Sequence, residues 1–481
     1  MISMIYFGHM RHITIWQKLP INAGASYHIN LVILIFFQLC KQLLRAVHYS
    51  GIGGNATDAQ EVSQEETEQA ENVSKQEEAE ETEQAAETEE TAEEEKTEDG
   101  KMATGADVTI PELSPEAKEI PDNEALAFIK DMKVGWNLGN TLDAYSDGAN
   151  FKDELKTEEC WGNPVTTKDM IDSVKEAGFD TIRIPVSWHG HVSREGDQIV
   201  VSQVWLDRVK EVVDYAYDNG MYVIVNTHHD LGEEGYYPDS DHYDQSEAFL
   251  KAVWTRMAET FRDYDEHLIL ESLNEPRLSA NPTYEWNFQA GVKECQDAAD
   301  CINRLNQAFV DTVRATGGNN ADRYLLLPGY DAALAGVATD LYKLPQDSAD
   351  NKLIVSVHAY TPYNFALQAM GESGAVDSFD IGSTSSTKDI DDLMDTLYTK
   401  YVSQGIPVLI GEFGARNKDN NIQDRVNYYA YYVSEARAHG ISCCIWDNGS
   451  FSGNGEQFGM LRRYVGKWFY SEILDTVMKY A

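Results

Sequence analysis

From about residue 107 to the end, apolar or β-branched runs of strand length alternate with amphipathic stretches of helical spacing. Strands are predicted over 134–140, 181–188, 222–229, 268–276, 323–330, 353–361, 407–415 and 441–449. Helices are predicted over 167–178, 205–220, 247–264, 298–317, 387–405 and 422–440, several stopping on a glycine that permits left-handed backbone. A short segment over 338–344 and a last helix over 471–480 complete the pattern. Strands that are apolar throughout, each followed by a helix, belong in a parallel sheet buried on both faces. Eight such repeats predict an α/β fold, a (β/α)8 TIM barrel. No glycine-rich dinucleotide or phosphate loop follows any strand, so a nucleotide-binding open sheet is disfavoured and no cofactor is expected.

The first hundred residues read differently. Arg11 and Lys18 precede the apolar run Leu31–Phe37, which is short for a membrane span and suits a signal peptide or an uncleaved anchor over residues 1–50. A start with no targeting role is the alternative. Residues 51–106 are dominated by Glu, Thr, Gln and Ala, too charged and too poor in apolar groups to build a core, and should form a disordered linker. That leaves 107–481 as the (β/α)8 domain, on a chain expected to be secreted or tethered to the cell surface or wall, and monomeric.

Charge narrows the ligand class. The formal net charge is -42, of which residues 58–100, with 19 acidic and 2 basic side chains, carry -17. Nucleic acid and anionic lipid are repelled, whereas a neutral glycan is compatible. The six cysteines contain no CxxC pair; Cys295 and Cys301 could pair across a loop, and Cys443 and Cys444 fit buried packing.

In a barrel of this kind, polar side chains at the C-terminal strand ends share one site. The predicted ends supply Asn137 and Asn140, Arg183 and Trp188, His228, His229 and Asp230, Asn274 and Glu275, His358 and Tyr360, Glu412, and Trp446, Asp447 and Asn448. Two stand out. Leu268–Pro276 ends with Asn274 and Glu275 before a proline that stops the ladder, and Pro407–Gly414 carries Glu412 near its end. Two carboxylates among neutral hydrogen-bonding groups and aromatics suit glycoside hydrolysis, one protonating the leaving oxygen and one staying ionised. Arg183 and Tyr360 are placed to hold Glu412 ionised, and Asn274 to bind a sugar 2-hydroxyl. The acid requires Glu275 to be raised by burial and by the charge of Glu412. His228-His229-Asp230 offers metal-ligand types, but neighbouring residues on a strand face opposite ways, and no metal is expected. Trp161, Trp188, Trp286, Tyr330 and Tyr363 are candidate sugar-stacking rings.

Residues from about 120 to 481 resemble glycoside hydrolase family 5 through Gly135–Asn140, Trp161–Pro164, Ile182–Trp188, Val225–Asp230, Leu273–Pro276, Val357–Tyr360, Ile410–Phe413 and Ile445–Asn448. The resemblance, nearest to the rumen and clostridial branch, implies a retaining endo-β-1,4-glucanase. By it Glu275 is the acid/base and Glu412 the nucleophile, with Arg183, His228, Asn274, His358, Tyr360 and Trp446 in support. Asn140, Trp188 and Tyr330 join them as candidate substrate contacts. Xyloglucanase, lichenase, mannanase and xylanase activities stay open, as does a metal-dependent hydrolase on the same barrel.

Overall fold

A computed structural model describes residues 101–102, 104–146, 153–196, 198–453 and 455–481. The expectations for 1–50, and for the linker up to residue 100, lie outside the described residues. The folded domain starts earlier than the composition shift at 107. Met102 N–H donates to the Trp468 carbonyl at 2.8 Å, and Lys101 pairs with Asp475 at 2.5 Å.

The eight barrel strands are β1 Val134–Leu138, β2 Thr181–Ile184, β3 Tyr222–Asn226, β4 Leu268–Glu271, β5 Leu325–Pro328, β6 Leu353–His358, β7 Val408–Phe413 and β8 Ser442–Asp447. Each pairs in parallel with its sequence neighbours, and β8 closes onto β1, giving the expected barrel. The helices in chain order are α1 Glu124–Met132, α2 Lys168–Glu176, α3 Gln203–Tyr217, α4 Tyr243–Thr260, α5 Lys293–Ala315, α6 Leu334–Ala338, α7 Thr384–Lys400, α8 Ile422–Ala438 and α9 Ser471–Tyr480. The predicted glycine stops hold: Gly178, Gly220, Gly317, Gly405 and Gly440 all have positive φ, where a Cβ would be strained. Helix α6 ends at Ala338, the first residue of the predicted 338–344, because Thr339 is already extended (ψ 156°). Two small hairpins, 192–201 and 461–468, lie outside the barrel and were not expected.

Alternation along the strands sorts side chains into two cores. Outward residues such as Val223, Val225, Val408 and Ile410 pack with the helix faces. Inward residues Ile224, Ile269, Leu326, Ile354, Leu409 and Cys444 meet Ala125, Phe128, Ile129 and Met132 of α1, which plugs the bottom of the barrel. Each such side chain buried contributes roughly 1.5–3 kcal/mol. The bottom is thus dry and apolar, and polar inward residues appear only above it. Cys295 and Cys301 sit together on α5 and are both unpaired, so no disulfide crosses a loop there. Cys443 and Cys444 are fully buried. Among the described residues no helix is long and apolar enough to cross a membrane.

Candidate active site

Above the apolar floor lies a buried polar layer centred on Arg183 of β2. Its Nε donates to Glu271 Oε2 at 2.7 Å and its Nη1 to Glu412 Oε1 at 2.7 Å. Nη1 also reaches Asn137 Oδ1 (3.0 Å), and Nη2 reaches Asn274 Oδ1 (2.8 Å). Burial alone would lower the guanidinium's proton affinity, but the charges of Glu271 and Glu412 outweigh it and raise it. Arg183 therefore stays cationic between two carboxylates. Glu271 is the one the sequence reading missed. It is fully buried, accepting from Ser356 Oγ (2.8 Å) and Asn226 Nδ2 (3.0 Å). Its signal was present: a glutamate within an apolar strand run must find a buried cation.

Glu412 reaches the same layer through an irregularity. Val357 pairs with Ile410 but His358 with Glu412, and Cys443 pairs with Ile410 but Ile445 with Phe413, so β7 carries one extra residue. Leu409 faces the floor, and strict alternation would then turn Glu412 outward toward the helices. The bulge resets the phase. Glu412 points into the barrel, and Phe413 turns out to stack on Tyr432 of α8, centroids 4.5 Å apart. Gly411 makes room, because a Cβ there would stand 3.0 Å from His358 Nε2. Besides Arg183, Glu412 receives Tyr360 Oη on Oε2 at 2.8 Å, while His228 Nε2 lies 3.9 Å from Oε1. Burial and the Glu412 charge push the Tyr360 phenol well up, so it remains a donor.

Glu275 lies beyond the end of β4. Its Oε1 meets His358 Nδ1 at 2.9 Å, and Arg277 Nη1 lies 3.7 Å from its Oε2. Burial pushes the Glu275 carboxyl up, but the hydrogen bond and charge of His358, with Arg277 and His229, outweigh it and leave it below the usual range. The expectation of a raised Glu275 is therefore overturned. The reason is geometric, since an imidazole stands between the two glutamates. His358 is raised in turn, burial opposing and Glu412 and Glu275 prevailing. Asp331, whose N–H donates to the Pro276 carbonyl at 2.8 Å, is pushed up to about 9 by burial and by the Glu275 charge, and so is neutral.

One oxygen of Glu275, one of Glu412 and a ring nitrogen of His358 all lie within 4.8 Å of one another. Nearest oxygens this close fit the roughly 5–5.5 Å carboxyl spacing of direct attack on carbon better than the roughly 6.5–9.5 Å that an intervening water needs. Arg183, Asn274, His358, Tyr360 and His228 converge on the pair as expected. The Trp446 ring lies parallel to His228, centroids 5.9 Å apart, and Gly139 permits it, as a Cβ there would come 2.7 Å from the indole. Asn140 sits at the rim with φ 55°, its N–H donating to Asp143 Oδ2 at 3.0 Å.

Two predicted contacts are corrected. Trp188 is fully buried, its Nε1 bonded to the Asn226 carbonyl at 3.1 Å, so it presents no face to a sugar. Tyr330 is also buried, accepting from Leu278 N–H (3.0 Å) and donating to the Tyr284 carbonyl (2.7 Å), so it braces a loop. Both lie near a predicted strand end, but the backbone turns there and buries them. His228 and His229 also correct the alternation argument. The β3 ladder ends at Asn226, and beyond it the two rings meet edge-to-face, centroids 4.4 Å apart. Asp230 lies apart from them, accepting from Trp188 and His189 N–H groups.

Among the described residues two clusters have metal-like donor spacing, Asp143-His228-His229 and Glu275-His358-Glu412. Neither donor set fits a cation. Glu412 has both oxygens taken and Arg183 against it, and the Asp143 oxygens accept from the Thr141 and Asn140 N–H groups.

Residues 142–452 match the cellulase family, glycosyl hydrolase family 5. Endoglucanase A of Ruminococcus albus is 42% identical over 365 residues, covering 76% of this chain and 94% of that protein. Endoglucanase B of Neocallimastix patriciarum is 40% identical, covering 76% and 73%. Among solved structures, a family 5 lichenase from Caldicellulosiruptor sp. F32, in complex with cellotetraose, superposes with a TM-score of 0.76. It is 55% identical and covers 78% of this chain and all of that one. A broad-specificity endoglucanase from Ruminococcus champanellensis with bound cellotriose gives 0.68 at 42% identity, covering 75% and 100%.

Proposed function

We infer the catalytic roles from one premise: the chain belongs to glycosyl hydrolase family 5. It is a retaining endo-β-1,4-glucanase. The observation that carries the reading is a carboxylate pair within 4.8 Å whose members have unlike partners. Glu412 is the nucleophile: Arg183 and Tyr360 each donate to one of its oxygens and hold both in place. Glu275 is the acid/base, paired with a residue that can itself give and take a proton.

In the first step a Glu412 oxygen attacks the anomeric carbon. The glycosidic C–O bond breaks toward the leaving oxygen, which takes a proton from Glu275. In the second step water gives its proton to Glu275 and attacks the same carbon, releasing Glu412. Between turnovers the proton that Glu275 must deliver is held in its 2.9 Å hydrogen bond with His358. His228 and Trp446 support the glycone site, and Asn274, its Oδ1 fixed by Arg183, turns its amide donor toward the sugar 2-hydroxyl.

A second reading concerns the chain that is cut. The lichenase is 55% identical, against 42% for the broad-specificity endoglucanase. That favours mixed-linkage β-glucan as the best substrate, ahead of xyloglucan, mannan or xylan. The polysaccharide is too large to enter a cell, which supports secretion or surface tethering through the first fifty residues; we also take the enzyme to act as a monomer. A panel of purified glycans with product analysis tests the substrate. Glu412→Ala with azide tests the roles: rescue as the inverted glycosyl azide is expected, and azide rescue of Glu275→Ala with retention for Glu412→Ala would reverse them.

A further inference from the structure

Trp286 is 62% exposed, yet its ring is not loose. The Arg277 guanidinium lies 3.9 Å from its centroid. The same guanidinium donates Nη1 to the Glu275 carbonyl at 3.0 Å and Nε to Glu285 Oε1 at 3.4 Å. The loop that carries both is braced from below by Tyr330, which bonds Leu278 and Tyr284 and packs on Phe288, centroids 5.0 Å apart. A fixed indole ring, backed by a cation and open to solvent, is thus linked to Glu275 through one residue, Arg277. Glu275 protonates the oxygen of the departing sugar, so that sugar must lie on the Glu275 side of the broken bond. The charge of Arg277 is already shared between Glu275 and Glu285, so a neutral ring suits the platform better than an ionic one.

We propose that Trp286, held by Arg277, is the platform for the leaving-group sugar, stacking a neutral glucosyl unit released in the first step. The proposal rests on Glu275 being the acid. It makes Trp286 a determinant of oligosaccharide and polymer cleavage and Arg277 a positioning residue that ties the platform to the acid.

The test compares two substrates, cellohexaose, which places sugars on the leaving-group side, and β-cellobiosyl fluoride, which places none there. Trp286→Ala should lower kcat/KM on cellohexaose about 3- to 10-fold more than on the fluoride, with Trp286→Phe recovering most of the difference. Equal losses on both substrates, or no loss on cellohexaose, would overturn the proposal. Glu275→Ala serves as the independent control: its loss should be far larger on cellohexaose, whose leaving group needs a proton, than on the fluoride, where only the base step is impaired. If it kept cellohexaose cleavage, the assignment of Glu275 would fail, whatever Trp286 did.

Discussion

Glu412 and Glu275 are 137 residues apart in sequence and within 4.8 Å in space, yet they are held in opposite ways. Glu412 has a side chain 6% exposed and sits within a strand, with a guanidinium on one oxygen and a phenol on the other. Glu275 is 19% exposed, lies past its strand, and has an imidazole as its nearest partner. Arg183 never releases a proton at working pH, so it can fix a nucleophile but could not reload an acid. His358 can do so, because an imidazole both gives and takes a proton. The chemical type of the neighbouring cation separates the two roles more clearly than burial does.

The largest break in that comparison is kinetic. On β-cellobiosyl fluoride, where the leaving group needs no proton, Glu412→Ala should lose about 10⁵-fold or more in kcat. Glu275→Ala should lose far less on the fluoride but about 10²- to 10⁴-fold on cellohexaose. Similar losses for both variants on the fluoride would erase the distinction. Next in size is stability. Arg183→Met leaves Glu271 and Glu412 buried without their cation, and should lower unfolding free energy by about 3–5 kcal/mol in denaturant titrations. A near-wild-type midpoint would show that the buried layer tolerates unpaired charge.

A smaller effect is the pH profile of Arg277→Met. Arg277 helps to hold the Glu275 carboxyl low, so its removal lets Glu275 keep a proton to higher pH. The alkaline limb of kcat/KM on cellohexaose should move up, and Arg277→Lys should restore it. A limb that stays or moves down would assign no such influence to Arg277. Smallest is Trp188→Phe, which removes one buried hydrogen bond. About 1 kcal/mol of stability should go, with kinetic constants unchanged; a raised KM would return Trp188 to the substrate site.

The barrel was legible because its signals are local. Apolar runs of strand length and glycines at helix ends report on backbone conformation without any knowledge of neighbours. The carboxylate pair was legible for a related reason, since an acidic side chain at the mouth of a buried strand has no packing role to explain it. Glu271 was less so, as a single charge in an apolar run gives no partner. Trp188 and Tyr330 misled because proximity to a strand end says nothing about which way the chain turns after the last ladder bond.

The amino-acid sequence by itself determined the number and order of strands and which residue types crowd the barrel mouth. Tertiary structure alone decided where they point. Alternation predicts direction only while the ladder is regular, and the extra residue in β7 reverses it at Glu412. Beyond β3 the ladder has ended, and His228 and His229 meet. The same holds for protons. Burial and Glu412 would have raised Glu275, but His358 stands between the glutamates, and only the folded chain brings it there.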